Sequence, residues 1–166
     1  MNSECKTARP QWEIFCQVVD NFGDIGVCWR LAADLARRGC GSVRLWVDDW
    51  AALRRICPGA NAVDEALGGS LQGVELRHWT SAFVPLVPGE IVVEAFACEL
   101  PPAQLEAMAA LRPAPVWINL EYLSAEDWVA GCHGLASPHP RLALVKHFFF
   151  PGFDANTGGL LREPEL

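Results

Sequence analysis

Short apolar runs of strand length alternate with helix-like segments along most of this 166-residue chain. Parallel strands need a long connection between them, usually a helix, so this alternation predicts a parallel sheet covered by helices. The apolar runs suit strands that are buried on both faces. The predicted strands are 12–19, 42–48, 74–79, 90–96, 116–123 and 142–150, and the predicted helices are 26–38, 49–57, 101–112 and a segment that begins after Ser124.

Signals at the segment ends support these helices. Gly39 follows the last periodic residues of the first helix and predicts a glycine C-cap. Asp49 precedes the second helix as an N-cap, and Ser124 precedes the last one in the same role. Prolines occupy the first turn of the helix at 101–112, and Pro113 lies just past its end.

The predicted fold class is α/β, a Rossmann-like parallel sheet flanked by helices. The length suffices for one domain with a full core, and a composition of 51% hydrophobic and 20% charged residues excludes a disordered chain. We expect a flexible N-terminus at 1–11, a Rossmann-like domain at 12–153 and a polar, glycine-rich tail at 154–166.

Charge and cysteine content restrict the partners and the compartment. A net charge of −7 argues against a protein whose affinity for nucleic acid depends on neutralising phosphates. The seven cysteines include no Cys-x-x-Cys pair and lie in apolar contexts, which is typical of reduced thiols in the cytoplasm. Neither a signal sequence nor an apolar stretch long enough for a bilayer is present, so no membrane association is expected.

The stretch VVDNFGDIG, residues 18–26, places Asp20 and Asp24 between the first strand and the first helix. Ligands of open parallel sheets bind at the carboxyl ends of the strands, so these acids lie where a site is expected. Gly23 and Gly26 would let a ligand approach the backbone, yet the chain has neither a dinucleotide fingerprint nor a P-loop. Two interpretations remain open: a functional pair of acids, or a turn in which Asp24 caps the helix and Asp20 bonds its own backbone.

Glu121 and Tyr122 follow another predicted strand and reach the same edge of the sheet. They either line the cleft beside the aspartates or form a strand end and a core aromatic. No metal site is expected. Asp49 is explained as a helix cap, and His133 and His139 lack the spacing of a tetrahedral zinc site.

Four longer stretches together resemble a known family. They are VVDNFGDIGVCWRLA, VVEAFACELP, INLEYLSAEDWV and FFFPGFDANTGGLLRE, and they run in order from about residue 12 to the end of the chain. They are similar to the bacterial protein-arginine rhamnosyltransferases, called EarP, that modify translation elongation factor P. The resemblance implies an inverting glycosyltransferase of the two-lobed GT-B type, of which this chain matches the N-terminal, acceptor-binding lobe.

The resemblance also implies roles for single residues. Asp24 would be the general base that takes a proton from the acceptor arginine, and Asp20 would hold the acceptor or the loop. Asn21, Phe22 and Gly23 would line the rhamnose pocket from this side. Arginine is a poor nucleophile because its positive charge is delocalised, so a carboxylate that localises this charge explains the need for acids.

The implied partners are elongation factor P and the donor substrate dTDP-β-L-rhamnose, with no cofactor. The donor would be held mainly by a second, C-terminal lobe toward which the tail at 154–166 leads, and without that lobe we expect this chain alone to be inactive. The alternative is a truncated, non-catalytic module that binds elongation factor P. A third hypothesis, an unrelated Rossmann-like nucleotide binder, is disfavoured by the length of the matching motifs.

Overall fold

The computed structural model describes residues 9–20 and 22–163. Within these ranges, eight strands form one sheet, with six parallel strands in the middle and an antiparallel strand at each edge. The strands are β1 (Gln11–Cys16), β2 (Ser42–Val47), β3 (Gly69–Leu71), β4 (Val74–His78), β5 (Ile91–Ala95), β6 (Val116–Leu120), β7 (Ala136–Pro138) and β8 (Val145–Phe149). The α-helices are α1 (Gly23–Arg37), α2 (Trp50–Ile56), α3 (Pro102–Ala110) and α4 (Val129–Cys132), and Pro58–Ala62 forms a short 3-10 helix.

The order of the strands confirms the Rossmann-like prediction. Across the sheet they follow β3-β4-β2-β1-β5-β6-β8-β7. When only the six parallel strands are numbered along the chain, their order across the sheet is that of a dinucleotide-binding fold. In that fold the direction of winding reverses beside the first strand. That reversal lies between β1 and β5, so a crevice is expected at their carboxyl ends.

Both faces of the sheet are buried, as the sequence predicts. Ile14 of β1 packs on one face with residues of α1 and α2. Its neighbour Phe15 packs on the other face with Met108 of α3. Successive side chains of a strand point to opposite faces, so the central strands contribute to two separate apolar clusters.

The connection from β1 to α1 differs from the prediction. The strand ends at Cys16 rather than at residue 19, and the helix begins at Gly23 rather than at 26. The amides that follow β1 leave the sheet because carboxylates bind them. Asp48 accepts a hydrogen bond from the Val18 N–H at 2.8 Å, and Asp24 binds the next two amides.

The prediction of a helix that begins directly after Ser124 is wrong. The Ser124 hydroxyl accepts a hydrogen bond from the Glu126 N–H at 3.1 Å, which closes a local turn instead of starting a helix. Only Val129–Cys132 is helical there. The sequence also missed the edge strands β3 and β7, which have three residues each and are too short to show a periodic pattern.

Two helix ends follow the prediction. Gly39 has φ of 63°, and the N–H groups of Gly39 and Cys40 bond the carbonyls of Ala36 and Leu35, which is the Schellman arrangement. The Asp49 carboxylate accepts a hydrogen bond from the Ala52 N–H at 2.9 Å and caps α2.

The described part of the tail, which continues to residue 163, lies against α1. Glu163 forms a two-pronged ion pair with Arg30, with Nε to Oε1 at 2.5 Å and Nη2 to Oε2 at 2.8 Å. Arg38 also donates a hydrogen bond to the carbonyl of Arg162. In the same described ranges, no helix is long and apolar enough to pass through a bilayer.

A buried carboxylate organises the face of the sheet that α3 covers. Glu13 of β1 is fully buried, and its Oε1 accepts hydrogen bonds from Arg44 at 3.1 Å and from the Trp46 indole at 2.8 Å. Its Oε2 accepts bonds from the Gly89 N–H at 3.2 Å and from Gln104 of α3 at 2.9 Å. A buried charge is tolerated when it is paired and hydrogen bonded, and Glu13 meets both conditions.

Replacing Glu13 with alanine should lower the free energy of unfolding by about 3–5 kcal/mol, because the buried donors of Arg44, Trp46 and Gln104 would lose their common acceptor. The measurement is urea denaturation followed by tryptophan fluorescence. Glu106→Ala serves as the control, since Glu106 is an exposed residue of α3 and its loss should change stability by about 0.5 kcal/mol or less. Equal stability of the two variants would contradict the prediction.

Candidate functional site

The Asp24 carboxylate lies at the centre of the candidate site. Asp24 is the second residue of α1, yet it is fully buried and does not cap that helix. Its Oδ2 accepts hydrogen bonds from the backbone N–H groups of Val19 and Asp20, both at 2.9 Å. Phe22 is the N-cap residue and makes no side-chain cap bond. The structural alternative of Asp24 as a helix cap is therefore wrong, because its carboxylate binds the preceding turn.

Tyr122 completes the contacts of this carboxylate. Its hydroxyl donates a hydrogen bond to Asp24 Oδ1 at 2.8 Å, across 98 positions of the sequence. The ring stacks on Phe96, with centroids 4.2 Å apart and an interplanar angle of 13°. The side chain is 52% exposed, so Tyr122 is not the core aromatic that the sequence left open.

The turn that carries Phe96 has an unfavourable backbone. Phe96, Ala97 and Glu99 follow β5 and have φ values of 56°, 53° and 54°. Non-glycine residues adopt this left-handed region at a cost, and such residues are frequent at functional sites. Hydrogen bonds hold the turn in place: Asn119 accepts from the Ala97 N–H, and Glu94 accepts from the Glu99 N–H.

Glu121 lies at the same edge of the sheet but does not touch Asp24. Its backbone N–H bonds the carbonyl of Phe149 at 2.9 Å, which attaches it to the end of β8. Its Oε1 accepts a hydrogen bond from the Asn119 amide at 2.5 Å. Through Asn119, the Glu121 carboxylate is therefore connected to the turn that positions Phe96.

The other predicted residues surround the buried carboxylate. Asp20 is exposed, and its backbone carbonyl accepts a hydrogen bond from the Gly23 N–H at 2.8 Å. A Cβ atom at Gly23 would lie 3.1 Å from Asp20 Oδ2, so glycine leaves room for that carboxylate. Phe22 is 43% exposed. Asn21 lies outside the described residues.

Two groups near the carboxylate are held in their neutral forms. Although half of the Tyr122 side chain is exposed, desolvation of its hydroxyl raises the pKa of Tyr122 to about 12, with further contributions from the bond to Asp24 and from the charges of Asp24 and Asp20. The neighbouring Cys28 thiol, followed by burial and the nearby Asp24 charge, raises the pKa of the Cys16 thiol. The described hydrogen-bond donors to the Asp24 carboxylate, which are two backbone amides and the Tyr122 hydroxyl, are all neutral.

His133 and His139, which the sequence analysis weighed as metal ligands, have structural roles. His133 Nδ1 accepts a hydrogen bond from the Phe150 N–H, and His139 Nδ1 accepts from the N–H groups of Arg141 and Leu142. In the part of the chain that the structure describes, no group of three or more histidine, cysteine, aspartate or glutamate side chains could hold a metal ion.

The structure adds Phe96 and Asn119 to the site. The sequence predictions placed Phe96 at the end of the strand 90–96 and Asn119 in the middle of the strand 116–123, and they assigned neither residue a role. Phe96 could have been found from its position directly after a strand at the reversal point of the sheet. Asn119 carried no such signal, because its two partners, the Ala97 N–H of the left-handed turn and the Glu121 carboxylate, are brought to its side chain only by the fold.

Titration of Tyr122 tests the geometry of the site. The tyrosine ionises with a pKa of about 12 rather than 10 in the folded chain, so its contribution to stability is complete below pH 10 and is lost as the pH rises towards 12. In Asp24→Asn the midpoint should fall but stay above the ordinary value of 10.0, because burial remains the largest cause. The measurement is the tyrosinate absorbance at alkaline pH, which reports one residue because the chain has one tyrosine.

Glu126→Gln is the control for that titration, since Glu126 does not contribute to the raised pKa of Tyr122. Its midpoint should equal that of the wild type. If Asp24→Asn also left the midpoint unchanged, the hydrogen bond between the two side chains would not exist in solution.

Comparisons with known proteins identify the family of this chain. The family model described as elongation-factor P (EF-P) rhamnosyltransferase EarP matches residues 12–166. A protein-arginine rhamnosyltransferase of Pseudomonas putida is 57% identical over 95% of this chain and 41% of its own length. Proteins of the same name from Pseudomonas aeruginosa and Shewanella oneidensis are 52% and 48% identical, each over 93% of this chain and 40% of their own length.

The chain thus spans about 40% of the length of these curated relatives. The family match itself covers 155 residues and includes every residue of the candidate site, from the Asp24 turn to Tyr122. On the strength of this match and of the Rossmann-like sheet that carries it, the chain belongs to the EarP family of elongation-factor P rhamnosyltransferases.

Proposed function

We propose that this chain is the acceptor-binding, base-carrying part of an inverting glycosyltransferase that transfers rhamnose from dTDP-β-L-rhamnose to an arginine side chain of elongation factor P. The family membership and the names of the relatives support the rhamnosyl transfer to arginine. The single observation that supports the role of this chain is the buried, fixed carboxylate of Asp24 at the carboxyl end of β1.

The charge of the site suits a guanidinium. Asp20, Asp24 and Glu121 bring three carboxyl groups to one edge of the sheet, while the chain as a whole has a net charge of −7. Guanidinium ions bind carboxylates through parallel N–H donors, and a buried carboxylate strengthens such bonds because water does not compete. An arginine of a basic loop is therefore the ligand that this edge fits best.

In the proposed step, one guanidinium nitrogen attacks the anomeric carbon of rhamnose from the face opposite to the diphosphate. The new carbon–nitrogen bond forms as the bond to the diphosphate oxygen breaks, which inverts the anomeric centre. The proton of the attacking nitrogen passes to the Asp24 carboxylate, and dTDP leaves with the bonding electron pair. Fixing Asp24 by backbone amides lowers the reorganisation that this transfer requires.

The remaining predicted residues have supporting roles in this proposal. Asp20 is exposed and would hold the guanidinium or the loop, while Glu121 would meet further positive charge on the acceptor. Phe22 and Gly23, together with Asn21, would line the rhamnose pocket from this side. The donor nucleotide would be bound mainly by the second lobe of a GT-B enzyme, and no cofactor takes part.

The proposed setting is the cytoplasm, where both the acceptor and the reduced thiols of this chain would be found. The structure has free cysteines at 16, 28, 40, 57, 98 and 132, four of them buried. Burial raises the pKa of Cys98 to about 12, with a further contribution from the Glu94 charge, which keeps this thiol unreactive.

Replacing Asp24 with asparagine tests the general base. Asparagine can still accept the two backbone N–H bonds, so stability should fall by only about 1–2 kcal/mol. Turnover should fall by about 100-fold or more, because the proton acceptor is lost. The measurement uses a chimera in which this chain replaces the matching segment of the Pseudomonas putida relative. Single-turnover transfer of rhamnose to elongation factor P gives the rate, and a thermal melt of each variant gives its stability.

Asp20→Asn in the same chimera is the matched control. It removes an equal charge from the same turn, but its effect should appear mainly as weaker acceptor binding, since its role is positioning. An Asp24→Asn chimera that melts normally and transfers rhamnose at the wild-type rate would exclude Asp24 as the base.

The chain by itself should bind elongation factor P weakly and transfer no rhamnose. Binding should shift the backbone NMR signals of residues 17–24 and 119–124, because that edge belongs to this chain. Glu121→Lys should weaken binding through charge repulsion, whereas Glu106→Lys on the exposed side of α3 should not. Measurable turnover by the chain alone would contradict the assignment of the donor site to a second lobe, and the absence of shifts would contradict acceptor binding.

A further inference from the structure

Asp24 is enclosed in this structure. Its side chain has no exposed surface, and its two oxygens accept three hydrogen bonds, two from backbone amides and one from Tyr122. A carboxylate has about four lone-pair sites, so most of its capacity is in use. An arginine from another protein cannot reach this carboxylate while all three bonds persist.

The three bonds differ in how easily they could be released. The amides of Val19 and Asp20 belong to the backbone between β1 and α1 and are fixed by the same turn that Asp48 holds. The Tyr122 hydroxyl, in contrast, belongs to a side chain that is 52% exposed. Its release needs only side-chain rotation, because Glu121 and Ser124 anchor the backbone on either side through bonds to Phe149 and Pro151.

We propose that Tyr122 is a gate over Asp24, and that the acceptor arginine enters by taking the place of the tyrosine hydroxyl on Asp24 Oδ1. The inference rests on the proposed function, since it assumes that a guanidinium binds Asp24. The amide bonds on Oδ2 persist through the exchange, so the carboxylate keeps its position while its outer oxygen changes partner.

The exchange suits the chemistry of the two donors. A guanidinium carries a positive charge and forms a stronger bond to a carboxylate than a neutral hydroxyl does. The released hydroxyl reaches water at little cost because the tyrosine side chain is already half exposed. A lone water or a neutral side chain has no such advantage, so the gate favours a cationic donor.

Phe96 supplies the fixed surface against which the gate moves. Its ring stacks on Tyr122, and its backbone N–H bonds the carbonyl of Leu120 at 2.7 Å. The following residue is held by Asn119. We therefore expect the Tyr122 ring to rotate while Phe96 stays in place.

The alternative is that Tyr122 stays bonded to Asp24 throughout and only positions it. The two roles predict opposite effects of Tyr122→Phe, which removes the hydroxyl but keeps an aromatic ring to stack on Phe96. A gate competes with the acceptor, so its removal should strengthen arginine binding by about tenfold, the equivalent of one hydrogen bond to a charged group. A positioning residue would leave the affinity equal or make it weaker.

The test uses the chain labelled with ¹³Cζ-tyrosine, which gives one signal because Tyr122 is its single tyrosine, together with ¹⁵N labelling of the backbone. N-acetylarginine amide is the probe, and N-acetylcitrulline amide is the neutral control of almost equal shape. With arginine, the amides of Val19 and Asp20 should shift, the Tyr122 signal should move towards that of a hydrated phenol, and its titration midpoint should fall. Citrulline should cause none of these changes.

Each outcome decides a separate point. Amide shifts with an unchanged Tyr122 signal, or an arginine affinity of Tyr122→Phe at or below the wild type, would overturn the gate and leave the proposed function standing. No amide shift with arginine would overturn guanidinium binding at Asp24 and the gate with it. Phe153→Leu, at another exposed aromatic, should bind arginine like the wild type. If Tyr122→Phe does not fold, the labelled wild-type chain still decides the question.

Discussion

The hydrogen bonds from the amides of Val19 and Asp20 to one oxygen of Asp24 determine the shape of the site. They end β1, turn the chain and start α1, with the carboxylate on the second residue of the helix. The favourable interaction of an anion with a helix N-terminus acts in the same direction. Together with the bond from the Val18 N–H to Asp48, these bonds fix the local backbone, and the same backbone keeps the Asp24 carboxylate in one position.

A second set of contacts joins the ends of neighbouring strands around that carboxylate. Tyr122 reaches from beyond β6 to α1, Phe96 stacks on it from beyond β5, and Asn119 binds the turn between them. These contacts lie at the reversal point of the sheet, where the flanking helices leave on opposite faces and a crevice opens. The strand order alone would provide the crevice, but the side chains close it over Asp24.

The sequence predicted the architecture because its parallel strands are apolar runs of strand length and most of them are separated by helices. It could not predict β3 and β7, which have three residues each. It also could not predict that the helix after Ser124 begins only at Val129, because a local turn competes with capping there. For the site, the sequence brought Asp24 and Tyr122 to the same edge. The hydrogen bond between these two side chains, the burial of Asp24 and the exposure of Tyr122 depend on the backbone geometry. The spacing of apolar residues in the sequence does not predict that geometry.

The left-handed turn after β5 makes the site depend on the interior of the sheet. Three non-glycine residues hold an unfavourable backbone there, and the side chains of Asn119 and Glu94 help to stabilise it by binding its amides. Glu94 in turn shares its carboxylate with the Trp117 indole and with Lys146 on β8. A substitution deep in the sheet could therefore alter the surface that an incoming protein meets. Positions that never touch a substrate would then have to change together during the evolution of this family.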